Sequence, residues 1–121
     1  MVYTLAFLTR PKPGMTLEQF YAHYTDVHRP LAEKLPGLIS YRQTRIRKEG
    51  YRGDDAIDYA AFSEYTFESE EAAIGSWQSP EASALNEDTG LFMDWPSVLT
   101  IPLSELGTFR KREKPEPETA E

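Results

Sequence analysis

One stretch constrains this chain more than any other. It runs from Thr16 to Pro30, T-L-E-Q-F-Y-A-H-Y-T-D-V-H-R-P, and it contains both histidines of the protein. Thr16 can cap the free N–H groups of a first helical turn, and Gln19 stands where a capping box places its reciprocal partner. Leu17, Phe20, Tyr24, Val27, His28, Leu31 and Leu35 then recur at helical spacings of three and four. At about 100° per residue, His28 falls inside this apolar stripe and is expected to face the interior, whereas His23 falls to its side and is expected to be solvated. Pro30 has no N–H for the carbonyl of Asp26 and disfavours helical geometry at Arg29. The helix is therefore expected to break or kink at Arg29-Pro30, with Pro30 opening a second short turn.

With 121 residues, one domain with one core is expected, and an apolar fraction of 40% with 27% charged residues is ordinary for a globular chain. The absence of cysteine excludes disulfides, thiol catalysis and zinc–cysteine sites, and it fits a reducing, cytoplasmic setting. Two histidines five apart point in different directions on an α-helix, so no protein-held metal is expected. No apolar run approaches the ~18 residues of a membrane span, and the N-terminal residues do not read as an export signal. The net charge is −7, and the basic residues alternate with acids instead of forming a stripe. Nucleic acid is thus a poor expectation as a partner, and a small organic molecule a better one.

Along the chain, Val2 to Thr9 reads as a strand that is apolar on both faces, with Tyr3, Leu5 and Phe7 on one and Val2, Ala6 and Leu8 on the other. The chain's own helices can cover one face; a second copy of the chain is expected to cover the other. Leu35-Pro36-Gly37 stops the central helix. Leu38 to Lys48 and Tyr59 to Phe67 read as two antiparallel strands joined by an exposed loop over Glu49 to Asp58. Ser69 caps a helix whose inward face carries Ala72, Ala73, Ser76 and Trp77, and Ser79-Pro80 restarts a helix through about Asn86. Asp88 to Pro96 is expected to be irregular. Ser97 to Leu103 forms the last strand, at an edge because of Pro102. From Arg110 onward the chain is charged and spaced by prolines, with nothing to bury, and residues 110–121 are expected to be a disordered tail.

The order strand, helix, strand, strand, helix, strand is the split βαββαβ ferredoxin-like plan: a four-stranded antiparallel α+β sheet with helices on one face. The stretch Lys12 to Leu38 also closely resembles the signature of the EthD family, a branch of the dimeric α+β barrel superfamily. That signature has a proline-glycine turn, a helix with Phe and Tyr-x-x-x-His, then Pro-Leu and a Leu-Pro-Gly stop. Here these fall on Phe20, Tyr24, His28, Pro30, Leu31 and Leu35-Pro36-Gly37. Ser79 to Ala82, and Asp88 and Asp94 around Phe92, resemble its later motif. The resemblance spans roughly residues 3 to 104, and the domain is placed at residues 1–109. It implies a homodimer whose sheets close into a barrel, a pocket between sheet and helices in each subunit, flat phenolic substrates and no metal or organic cofactor.

Several residues are candidates for such a site. His28 is the inward-facing group whose ordinary pKa lies near neutrality, which suits general acid–base chemistry. It can equally be a core histidine satisfied by a carbonyl or a tyrosine hydroxyl. Tyr24, one turn back, can orient it or bond a substrate oxygen. Asp88 or Asp94 can hold its second ring nitrogen, or simply cap turns. Phe7, Phe20, Tyr65 and Trp77, with Asp88, are the candidate substrate contacts, since aromatic walls suit a flat aromatic ligand. The activity expected is a cofactor-independent lyase step (decarboxylation or dehydration) on a small aromatic or polyketide-like molecule. The alternatives are a cofactor-free monooxygenase acting on a phenolic or anthrone-like substrate, and a non-catalytic binding protein. Deleting residues 110–121 is expected to leave the melting temperature unchanged; a fall of more than a few degrees would show that the tail is anchored.

Overall fold

The structure, a computed structural model, describes residues 2–53 and 57–111. The expected tail falls largely on residues 112–121 and the tip of the long loop on 54–56, both outside the described residues. Four strands, β1 (Tyr3–Thr9), β2 (Leu38–Arg45), β3 (Ala61–Phe67) and β4 (Leu99–Leu103), form one antiparallel sheet in the order β2-β3-β1-β4. Leu5 stands opposite Tyr65 on one side and Pro102 on the other. Tyr41 stands opposite Tyr65. Pro102 lies on an edge strand, where its missing N–H removes no central ladder bond. This is the expected ferredoxin-like plan.

Helices cover one face. α1 (Leu17–His23) starts on the expected capping box, with Thr16 Oγ1 accepting from the Gln19 N–H at 3.0 Å and Gln19 Oε1 accepting from the Thr16 N–H at 2.9 Å. α3 (Glu70–Trp77) and α4 (Pro80–Phe92) are capped by Ser69 and Ser79 as their sequences require. Ala61, Ser63, Tyr65 and Phe67 of β3 are buried beneath these helices. One core cluster joins Tyr65 and Phe67 to Ala73, Ala82 and Leu85, and a second joins Phe20, Tyr24 and Phe92. The outer face carries Leu8, Phe62 and Ile101, all half-buried.

Two expectations are corrected. The expected second short helix is present as α2 (Arg29–Ala32), with Pro30 in its first turn, but the chain does not break before it: a π-helical turn (Tyr24–His28) runs directly into α2, and Arg29 keeps helical angles of φ −59° and ψ −47°. In the π turn the Arg29 N–H reaches back five residues to Tyr24 O. Gln43 of β2 inserts its side-chain amide onto that same carbonyl at 2.8 Å, and Thr25 Oγ1 donates to Tyr21 O at 3.0 Å. Side chains inserted into the ladder account for the wider turn. Since the i→i−4 pattern is already interrupted there, a residue lacking an N–H costs little just beyond it.

The second correction is that Asp88 to Phe92 is helical, not irregular, because α4 continues to Phe92. Ala82, Leu85, Asp88 and Phe92 form its buried stripe, and the burial of Phe92 outweighs the weak helical preference of Asp88, Thr89 and Gly90. Among the described residues no helix is long and apolar enough to cross a membrane.

Phe92 is fully buried against the rings of Phe20 and both histidines, whereas neighbouring Leu91 is exposed. Phe92→Ala is expected to lower unfolding free energy by about 3–5 kcal/mol in denaturant titrations, and Leu91→Ala by less than about 0.5 kcal/mol. Equal effects would refute this account of the end of α4.

Candidate functional site

The site is built where the π turn faces α4. His28 closes the π turn, and its Nδ1 lies 2.8 Å from Asp88 Oδ2. The other oxygen of the same carboxylate, Oδ1, lies 2.7 Å from His23 Nε2. Exposure rises along this row: the side chains of His28, Asp88 and His23 are 3%, 6% and 25% accessible. A carboxylate offers only acceptors, so the His28 Nδ1–H and the His23 Nε2–H donate to it. That tautomer leaves the His28 Nε2 lone pair free.

His28 also lines a cavity of about 310 Å³ between the sheet and the helices. Phe7 and Tyr65 form its floor, Trp77 and Leu85 come from α3 and α4, and Trp95 and Val98 stand on the β4 side. Phe7, Tyr65 and Trp77 pack edge to face, with ring centroids 5.3–6.1 Å apart. Thr9 Oγ1 and Trp77 Nε1 are buried without a hydrogen-bond partner among the described residues.

Four of the candidates therefore stand together around one cavity: His28, Phe7, Tyr65 and Trp77. Asp88 stands behind His28 and does not line the cavity. Phe20 is fully buried in the second core cluster, stacked on Tyr24 at 5.5 Å, and also does not reach the cavity. The Tyr24 ring lies 6.0 Å from that of His28, but its hydroxyl is buried with no partner among the described residues. Asp94 lies past the end of α4; its backbone bonds Arg10 and Ser97, and its carboxylate makes no hydrogen bond to either histidine.

His23, expected in solvent, instead shares the carboxylate. The π turn is the reason: in a turn closed between residues five apart, His23 and His28 come round to the same side, whereas a regular α-helix would set them about 140° apart. Two signals in the sequence point to this arrangement. One is an i, i+5 histidine pair followed by proline, and the other an aspartate in register with Ala82, Leu85 and Phe92.

Burial is the largest influence on His28 and holds its pKa below the ordinary 6.5. The hydrogen bond and charge of Asp88 act in the opposite direction, and a charge on His23 lowers it further. Burial pushes the Tyr24 and Tyr65 phenols well up, and that of Tyr41 to about 12. At neutral pH these hydroxyls keep their protons. Among the described residues, no group of three or more His, Asp or Glu side chains is arranged to hold a metal ion.

Fold and site together define a ferredoxin-like α+β protein with a buried His–Asp–His row beside an aromatic cavity. The model of the EthD domain matches residues 12–96, and the chain belongs to the EthD domain family. Among solved structures it is similar to an EthD family protein from Bacillus halodurans C-125, with 22% identity, 88% of this chain and 100% of that one covered, and a TM-score of 0.72. It is also similar to a dimeric protein of unknown function with a ferredoxin-like fold from Bacteroides fragilis NCTC 9343, with 9% identity, coverage of 86% and 96%, and a TM-score of 0.63. A third is SnoaB, a cofactor-independent oxygenase from Streptomyces nogalater, with 11% identity, coverage of 91% and 98%, and a TM-score of 0.61. No curated protein matches the chain. At these identities the structural likenesses carry the fold alone.

The lowered pKa of His28 has a consequence for stability. Between its folded value and the ~6.5 of the unfolded chain, the unfolded state binds the extra proton, so stability rises with pH in that window and is flat above it. Melting temperatures measured between pH 7.5 and 5 are therefore expected to fall below about pH 6.5, and to fall less in His28→Gln. Parallel pH curves for the two proteins would show that His28 does not contribute this dependence.

Proposed function

We propose that this protein is a cofactor-independent enzyme that abstracts a proton from a small, flat aromatic or polyketide-like molecule, with His28 as general base. The observation that carries this reading is His28 in the lining of an aromatic cavity, its Nδ1–H held by Asp88 so that Nε2 keeps its lone pair. An imidazole oriented through one nitrogen and open at the other suits proton transfer. A cavity of about 310 Å³ lies at the lower end of the range for small-molecule pockets, about 300–1,000 Å³.

Of the two lyase steps expected, dehydration suits the site better. Decarboxylation requires a proton delivered to carbon, and a histidine whose pKa is lowered is mostly unprotonated at neutral pH and carries no extra proton to deliver. Removing a proton beside a carbonyl uses the neutral imidazole that burial favours; the C–O bond of a β-hydroxyl then breaks, and the proton taken up by His28 returns to that oxygen, which leaves as water. A second reading, oxygenation, draws support from the likeness to a cofactor-independent oxygenase. It begins with the same deprotonation, after which the carbanion meets dioxygen. Phe7, Tyr65 and Trp77 serve as the stacking walls in either reading.

The working unit in this proposal is a homodimer. Leu8 has Phe62 and Leu99 as its cross-strand neighbours, and Ile101 pairs with Ala6 next to them; together they give the outer sheet face an apolar centre that a second sheet can cover.

On a substrate identified by screening phenolic and polyketide-like ketones, His28→Gln is expected to lower kcat about 10²–10⁴-fold with little change in binding. The acid limb of kcat/KM in the parent protein should lie below pH 6.5, since the base must be unprotonated. Full turnover by His28→Gln would refute the assignment. Binding without turnover in either form would make the protein a binding module.

A further inference from the structure

We infer that His23 is a positioning residue of this site: from the protein surface it holds Asp88 in place and sets how firmly His28 keeps a proton. The inference rests on the reading of His28 as the base, and it concerns a residue that touches neither the cavity nor its contents. Three observations support it. The two oxygens of Asp88 are divided between the imidazoles, 2.7 Å from His23 Nε2 and 2.8 Å from His28 Nδ1, so neither can move without altering the carboxylate the other depends on. Phe92 lies against both rings, with centroids 4.4 Å from His23 and 5.0 Å from His28, and keeps this row apolar-walled. His23 also lines a surface depression with Lys12, Gly14, Met15 and Gln19, whereas His28 lines the cavity. One end of the row therefore meets bulk solvent and the other the cavity.

The remaining charged groups nearby are otherwise engaged or exposed. Lys12, from the connection between β1 and α1, donates to Gly90 O at 3.3 Å. Arg29, next to His28, pairs with Glu33 at 3.3 Å on the surface. Glu18 of α1 and Glu87 of α4 are exposed, and the sheet side presents Thr9 and Ser63, both uncharged. Asp88 is thus the anion that both histidines share. A proton gained by His23 at the surface places a positive charge on the far side of that carboxylate and opposes a second one at His28. The result is a base whose strength follows the protonation of a solvent-facing residue.

The test follows both imidazoles by NMR through a pH titration of the full chain, which needs no substrate. In the parent protein the His28 signal supplies the reference midpoint, expected below the ordinary 6.5. In His23→Gln, which keeps a donor for Asp88 but cannot become charged, the His28 midpoint is expected to move upward, because the charge that opposes its protonation is gone. His23→Asn serves as a second variant should the first fold poorly. A His28 curve that is the same in parent and variants overturns the inference. With a substrate in hand, the acid limb of kcat/KM should move upward with the His28 midpoint in His23→Gln. If the midpoint moves and the acid limb does not, the coupling stands and the role of His28 as base is what fails.

Discussion

A single buried carboxylate organises this structure. Asp88 lies on the inward stripe of α4, where a charge is costly unless its oxygens are bonded, and both oxygens are bonded to imidazole nitrogens of the facing helix. The pairing fixes how α4 lies along the helix that carries the histidines, because sliding either element would strand the carboxylate. The pairing depends in turn on the π turn. Gln43 of β2 bonds the Tyr24 carbonyl, and the Arg29 N–H reaches that same carbonyl across five residues. An unbroken α-helix would rotate His23 away and leave one oxygen of Asp88 without a partner. A side chain on a sheet edge thus determines whether a charge on a distant helix can be buried at all.

Much of the fold could be read directly because its signals are local. The capping box at Thr16 and Gln19, the serine caps at Ser69 and Ser79, and the Leu35-Pro36-Gly37 stop each act within one turn of chain, and each appears where the residues place it. Strand order followed from counting elements. The site was only half legible. His28 falls in the apolar stripe at 3.6 residues per turn, but the same period turns His23 away from it, and that period fails where a remote side chain interrupts the ladder. Asp88, Thr89 and Gly90 look like the end of a helix because each has weak helical preference. Only the burial of Phe92 beyond them shows that the helix continues. Both errors have one cause: tertiary contacts overrode local preference at the place where the site is assembled.

The two faces of the sheet serve different ends. On the helical face, Phe7, Tyr65 and Trp77 pack edge to face, yet a cavity of about 310 Å³ remains beside them, and Thr9 Oγ1 and Trp77 Nε1 are without partners among the described residues. A core built for stability alone would fill such a space and satisfy such groups. On the outer face the apolar centre around Leu8 is bordered by polar pairs. The Thr4 and Thr66 hydroxyls lie 2.9 Å apart, and Arg42 donates to Glu64 at 2.9 Å. An apolar patch ringed by satisfied polar groups has the anatomy of an association surface, where the rim sets register and the centre supplies most of the driving force.

Which chemistry the cavity can support is decided by two opposing influences on His28. Asp88 favours the charged imidazolium by hydrogen bond and by charge; burial among Tyr24, Phe92 and the cavity wall favours the neutral ring, and burial is the larger. Had the carboxylate prevailed, the site would hold a proton in reserve and suit protonation of a carbanion. With burial prevailing, it holds a vacant lone pair and suits taking a proton away. Asp88 then contributes mainly through orientation: it fixes the Nδ1–H tautomer and, in the proposed reaction, would stabilise the imidazolium formed on proton transfer without abolishing the base beforehand. Sharing the same carboxylate with His23 limits its pull further, because each oxygen already serves a donor. The balance that keeps His28 neutral is therefore a property of the whole row, set as much by the π turn that aligns the histidines as by the acid between them.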